Sequence, residues 1–197
     1  MPNRPASAAD AEQRLEAALR TVVDQLPTAT PQQRAFLLKR AGDVCVGLGE
    51  QRKALGWYGR AVDQHLELGE AEQAATLCRL IIYVQPDAVR ARCTLTWIAI
   101  GTERHPEAGE QLGAYIDAAR TAGQAEIAAR QLGWMFGVVS SPNLRRQIVA
   151  GMRALGEEER ADAMAEALRA DPTPYAVDPE RLWERLMEAT VHHPRPR

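Results

Sequence analysis

The sequence has almost no lysine and no excess of positive charge. Its 197 residues include 24 basic and 26 acidic side chains, for a net charge of -2. Lys39 and Lys53 are the only lysines. A protein that holds nucleic acid mainly through the phosphates needs a basic surface, so no nucleic-acid partner is expected. The preference for arginine over lysine is typical of a GC-rich, bacterial coding sequence.

Long apolar runs and a cysteine framework are also missing. No run approaches the ~20 residues that span a bilayer, and the first ten residues lack the apolar segment of a signal peptide. Cys45, Cys78 and Cys93 are odd in number and widely spaced, unlike disulfide or zinc patterns. We expect buried thiols in a reducing compartment. The prediction is a cytoplasmic protein with no membrane segment, metal or cofactor.

The chain shows helix signals and none of the alternation that marks β-strands. Thr30 and Pro31 form a helix start, with Gln33 placed to complete a capping box. Gly49 and Gly69 are each followed by glutamate, the order in which one helix ends and the next begins. Asp87 is expected to cap the following helix. Further helices are predicted near 88–102, 106–121, 125–139, 142–155 and 157–170.

Within these helices a small residue is repeatedly followed, one turn later, by a larger one. The pattern resembles the tetratricopeptide repeat (TPR), whose signature is W-x2-L-G-x2-Y, then A-x3-F, then P. The matching segments are Leu38-x2-Ala41-Gly42-x2-Cys45 with Ala54-x3-Tyr58, Ala74-x3-Cys78 leading to Pro86, Arg92-x2-Leu95-Thr96-x2-Ala99 with Ala108-x3-Leu112, and Ala129-x2-Leu132-Gly133-x2-Phe136 with Leu144-x3-Ile148. Since Gly49 and Gly69 are close together, the helix between them must serve two successive pairs.

The resemblance implies an all-α fold, a right-handed α-solenoid of antiparallel helix pairs with capping helices at both ends. The predicted organisation is a disordered segment over 1–6, the TPR-like solenoid over 7–172 with an N-terminal capping helix over 7–26, a linker and C-terminal helix over 173–191, and a disordered tail over 192–197. Such repeats host non-enzymatic interaction modules. We therefore expect an adaptor, scaffold or assembly factor whose partner is a protein or peptide.

The resemblance also implies where that partner binds, because the first helix of each pair lines a concave groove. The corresponding residues are Lys39, Arg40, Asp43, Val46, Arg90, Cys93, Thr94, Trp97 and Ile100. Trp97 lies between two packing residues and is expected to be exposed, as an interface hot spot beside arginine. Some relatives clamp a partner's terminal carboxylate, but Asp43 stands where they have asparagine and would repel that group.

The C-terminal helix leaves two interpretations open. Leu182, Trp183 and Leu186 share one face, which either caps the solenoid or docks on a partner or a second subunit. In the second case the protein would be a self-associating structural or sensor segment that forms homodimers. No phosphate loop, paired metal ligands or nucleophile motif occurs. His65 and His105 stand alone, and no catalytic residue is predicted.

Overall fold

The computed structural model describes residues 8–170 and 179–190. Ten α-helices and one short 3₁₀ turn account for nearly all of them, and no strand occurs in these two ranges. The helices are α1 Ala8–Gln25, α2 Pro31–Gly47, α3 Gln51–Glu67, α4 Ala71–Val84, α5 Val89–Gly101, α6 His105–Thr121, α7 Ala125–Val138, α8 Pro142–Ala154, α9 Glu158–Ala170 and α10 Pro179–Thr190. The all-α prediction is confirmed, and the right-handed sense stays a prediction. The calls for 1–6, 192–197 and the linker before α10 lie outside the described residues.

The predicted helix boundaries follow from local chemistry. Thr30 accepts a hydrogen bond from the Gln33 N–H, and the Gln33 side chain accepts one from the Thr30 N–H, so the capping box is complete. The Ser141 hydroxyl accepts a bond from the Leu144 N–H at the start of α8. The expectation for Asp87 was wrong, because α5 begins later, with Ala88 as its N-cap. The Pro86 carbonyl beside it instead accepts two bonds from Arg92.

One type of turn recurs between consecutive helices. Gly49 has φ of 72°, and the next residue donates its N–H to the Cys45 carbonyl, which is a Schellman ending. The same left-handed position is taken by Gly69, Gly123 and Gly156. Between α5 and α6 it is taken by Glu103, with φ of 56°. A short turn of this kind forces the two helices that it joins to run antiparallel.

The first compact unit covers residues 1–84 and contains α1 to α4. Each of its helices packs on the next, so α3 contacts both α2 and α4. These contacts leave room for the double role expected of the helix between Gly49 and Gly69, which stays a prediction. Val22 of α1 lies in a core with Leu37 and Ala41 of α2. The α2–α3 pair is held by Gly42, whose missing Cβ makes room for the Tyr58 ring.

The second unit covers residues 85–197 and contains α5 to α10. Its pairs are α5–α6, α7–α8 and α8–α9, and α6 also packs on α8. Ala108 of α6 is fully buried, as is Ala74 of α4 in the first unit. These two alanines are separated by the roughly 34 residues of a TPR. The last helix, α10, returns to pack on α5 and α7.

Acidic groups buried between α5 and α6 predict a loss of stability at alkaline pH. Burial raises the pKa of the Cys93 thiol from 9.0 to about 12, and it raises the pKa of Tyr115, its hydrogen-bond partner. The unfolded thiol ionises first, so this contribution is intact below pH 9 and is lost as the pH rises toward 12. The slope is about 1.4 kcal/mol per pH unit.

We therefore expect the free energy of unfolding to fall between pH 8 and pH 10.5 by about 2 kcal/mol through Cys93 alone. Urea denaturation at the two pH values measures it. The Cys93→Ala variant should lose less stability over the same interval, by about that amount. Identical losses in the variant and the wild type would contradict the assignment.

Candidate partner-binding surface

The exposed face of α2 carries both apolar and charged side chains. Phe36 is 63% exposed and Val46 is 49% exposed, which is unusual for residues of their size on a packed helix. Lys39, Arg40 and Asp43 lie between them and are also exposed. Their spacing of three to four residues places all five on one side of the helix. We call this set, Phe36 to Val46, the α2 strip.

Two contacts hold the Asp43 carboxylate of the α2 strip in place. The Lys39 ammonium lies 2.8 Å from one Asp43 carboxylate oxygen, and the other oxygen accepts a 2.9 Å hydrogen bond from the Tyr58 hydroxyl. Tyr58 is buried, so Asp43 is anchored to α3 while its carboxylate stays half exposed. The strip therefore offers one neutralised ion pair and, through Arg40, one further positive group.

A shallow hollow of about 630 Å³ lies beside the start of the strip. It forms where α1, the 3₁₀ turn over Leu26–Thr28 and α2 meet. Its lining consists of Gln25, Thr28, Ala29, Gln32, Gln33, Phe36, Leu37 and Arg40. Half of these groups are neutral hydrogen-bonding side chains, and Phe36 and Leu37 supply an apolar wall. The hollow can accept an apolar side chain of a partner together with polar backbone groups.

The α5 residues predicted for the groove occupy a different environment. Cys93, Thr94, Trp97 and Ile100 are all buried, and Trp97 is 0% exposed. The expectation that Trp97 is exposed was therefore wrong. Its indole N–H donates a 2.8 Å hydrogen bond to the Gln131 side-chain oxygen, which joins α5 to α7. The repeat pattern along α5 did not indicate this hydrogen bond, because Gln131 lies on another helix pair.

Arg90 is the exposed member of the α5 set. Its guanidinium donates a 2.8 Å hydrogen bond to the Thr190 carbonyl at the end of α10. Arginine at this place satisfies a terminal helix carbonyl and complements the negative end of the helix dipole. Arg90 thus binds a main-chain group of its own chain, whereas the resemblance implied a role in partner binding.

The residues proposed for self-association also face inward. Leu182 and Leu186 are buried and Trp183 is partly buried, on a helix that packs against α5 and α7 of the same chain. The interpretation of this helix as a cover for its own unit agrees with that placement. Homodimer formation through these residues stays a prediction and would require α10 to leave.

The two histidines within the described helices lie in different units. Among the residues described, no group of three His, Cys, Asp or Glu side chains could hold a metal ion. His65 Nδ1 lies 2.6 Å from a Glu70 carboxylate oxygen across the α3–α4 turn. His105 lines a hollow of about 460 Å³ at the starts of α6 and α8. Ser141, its one lining hydroxyl, caps α8.

No helix in the described ranges is both long and apolar enough to cross a bilayer. All three cysteines are buried, as expected from the sequence.

Comparison with known proteins finds similarity among solved structures only. No protein-family profile matches the sequence, and no curated protein matches it. A chain of nearly identical TPR-like repeats from a kinesin light chain of Podosopora anserina is 14% identical, with a TM-score of 0.37 over 81% of this chain and 95% of that one. A single-substitution form of it gives 0.38 with the same identity and coverage.

A tetratricopeptide repeat protein from Parabacteroides merdae is 17% identical. It has a TM-score of 0.29 over 93% of this chain and 80% of that one. The architecture follows from features of this chain itself, namely its helix pairs, its glycine turns and the small residues at its helix contacts. The protein is an all-α protein of TPR-like helix pairs.

Proposed function

We propose that the protein is a non-enzymatic interaction module, an adaptor or scaffold that binds a partner peptide or helix through the α2 strip. One observation carries the proposal, the exposure of Phe36 and Val46 on the same face as Arg40. Aromatic residues and arginine dominate the energetics of protein interfaces. The three buried cysteines are consistent with a protein of a reducing, bacterial cytoplasm.

The chemistry of the strip defines the kind of partner. Phe36 and the adjoining hollow favour an apolar side chain, and Arg40 favours a nearby carboxylate. Lys39 and Asp43 already neutralise each other, so they contribute polar rim contacts and orientation more than affinity. An acidic amphipathic segment fits this combination best. In this proposal the partner binds the groove residues of α2, which are exposed, and not those of α5.

The test compares capture of partners from a native lysate by the intact chain and its variants. Phe36→Ser and Arg40→Glu should each reduce recovery of a specific partner at least about tenfold, since a hot spot contributes ~2 kcal/mol or more. Tyr83→Ser is the matched control, because Tyr83 is 86% exposed on α4 in the same unit. Equal recovery by all four chains would refute the role of the strip.

A further inference from the structure

Helix α5 is buried around its whole circumference. Eight consecutive residues, 93–100, are buried, so this helix has no polar face for solvent. A helix that is apolar on all sides needs a neighbour on each side. α6 covers one side, where Cys93 and Tyr115 are hydrogen-bonded. On another side the Trp97–Gln131 hydrogen bond joins α5 to α7.

The remaining side of α5 is covered by α10, which is strongly amphipathic. Leu182, Leu186 and Thr190 follow one another at intervals of four residues, and all three are buried. Glu180, Glu184 and Glu188 lie on the opposite face and are exposed. The chain therefore supplies an amphipathic helix that fits an apolar surface formed by α5 and α7. We call that surface the α5–α7 face.

Two contacts between α10 and α5 lie at opposite ends of α5. A Cβ placed on Gly101 would lie 3.8 Å from a methyl carbon of Leu186, so the leucine packs directly on the end of α5. At the other end Arg90 binds the Thr190 carbonyl. The Thr190 hydroxyl donates to the Leu186 carbonyl, which satisfies it inside its own helix. The helix is thus held by two leucines and one arginine cap.

In its length and packing, α10 resembles a bound peptide ligand more closely than a helix of a repeat. α10 has 12 residues, a length at which an isolated helix is marginal in water and depends on its docking surface. It follows α9 without forming a pair with it and packs instead on α5 and α7. A covalently attached helix acts at a high effective concentration, so modest contacts are enough to keep it bound.

We propose that the α5–α7 face is a second binding surface and that α10 is its built-in occupant. The partner is a protein that carries an amphipathic helix with leucines four residues apart. This partner helix binds the α5–α7 face in competition with α10. The proposal is independent of the α2 strip, which lies in the other unit. It makes α10 a regulator of access, since the face is available only when Leu182 and Leu186 leave it.

The experiment measures binding of a fluorescein-labelled synthetic peptide of residues 177–191 to the full chain by fluorescence anisotropy. The Leu182→Ser/Leu186→Ser double variant should bind it at least about tenfold more tightly than the wild type, because its own α10 no longer competes. The Glu184→Gln variant alters the exposed face and should bind like the wild type. A labelled peptide carrying the same two serines as the first variant should bind none of the chains.

Equal affinity of the peptide for all three chains would overturn the proposal. So would unfolding of the leucine double variant, seen by circular dichroism, since α10 would then be part of the core.

Hydrogen exchange on the wild type gives a second readout. α10 amides should exchange at least about tenfold faster than those of α5 and α6, and exchange of all three helices as one unit would overturn the proposal. A wild-type dimer that the leucine double variant loses, seen by light scattering, would assign the face to a second copy and likewise overturn it.

Discussion

Replacing Trp97 by alanine should lower the free energy of unfolding by about 3–5 kcal/mol, the usual range for a fully buried tryptophan. Two effects add in the same direction. The substitution leaves a large cavity on α5, and it leaves the buried Gln131 oxygen without the indole N–H that lies 2.8 Å away. Urea denaturation followed by circular dichroism measures the change.

A second substitution separates the two effects of Trp97. Trp97→Phe keeps most of the apolar volume and removes the N–H donor, so it should cost about 1–3 kcal/mol. Trp183→Ala on α10 is the control, because Trp183 is only partly buried and should cost less than Trp97→Ala. An unchanged stability for Trp97→Ala would restore the expectation of an exposed hot spot and contradict the position described here.

Replacing Gly42 by leucine should destabilise the α2–α3 pair by about 3 kcal/mol or more, at the upper end of the cost of overpacking. A Cβ at Gly42 would lie 2.4 Å from a ring carbon of Tyr58. That ring cannot turn away freely, because Tyr58 is buried and its hydroxyl is bound to Asp43. Thermal unfolding measured by circular dichroism reports the loss.

Gly56 of α3 provides the matched control for Gly42. No atom lies within 4 Å of a Cβ built there, and the residue is exposed. Gly56→Leu should therefore leave stability unchanged or raise it by up to about 1 kcal/mol, the difference in helix propensity. Equal destabilisation by the two leucines would show that close approach at Gly42 is not what holds the pair together.

Most of the helical framework could be predicted because it is encoded locally. The capping box at Thr30 and the left-handed glycines at 49, 69 and 156 act within one turn of the chain, and all are present. Glu103 shows the limit of this reasoning. It adopts the same left-handed conformation without the glycine that signals it, because packing of α5 on α6 fixes the turn between them.

The surroundings of α5 could not be predicted in the same way. The expectation for Trp97 used only its neighbours on one helix, whereas Gln131 is 34 residues away and the Arg90–Thr190 contact spans 100 residues. One signal was nevertheless present. Residues 93–100 of α5 include no charged side chain, and a helical segment of that kind is expected to be covered on every side. By contrast, the exposure of Lys39, Arg40, Asp43 and Val46 agrees with their predicted positions.

The scarcity of lysine makes the first unit the only target for amine-directed chemistry on side chains. Lys39 lies within the α2 strip, and Lys53 lies in the first turn of α3 in the same unit, in an ion pair with Glu50. Residues 85–197 contain no lysine at all. Acylation or lysine-specific crosslinking would therefore leave the α5–α7 face unmodified. A partner bound to the α2 strip would protect a single ammonium group from modification, that of Lys39.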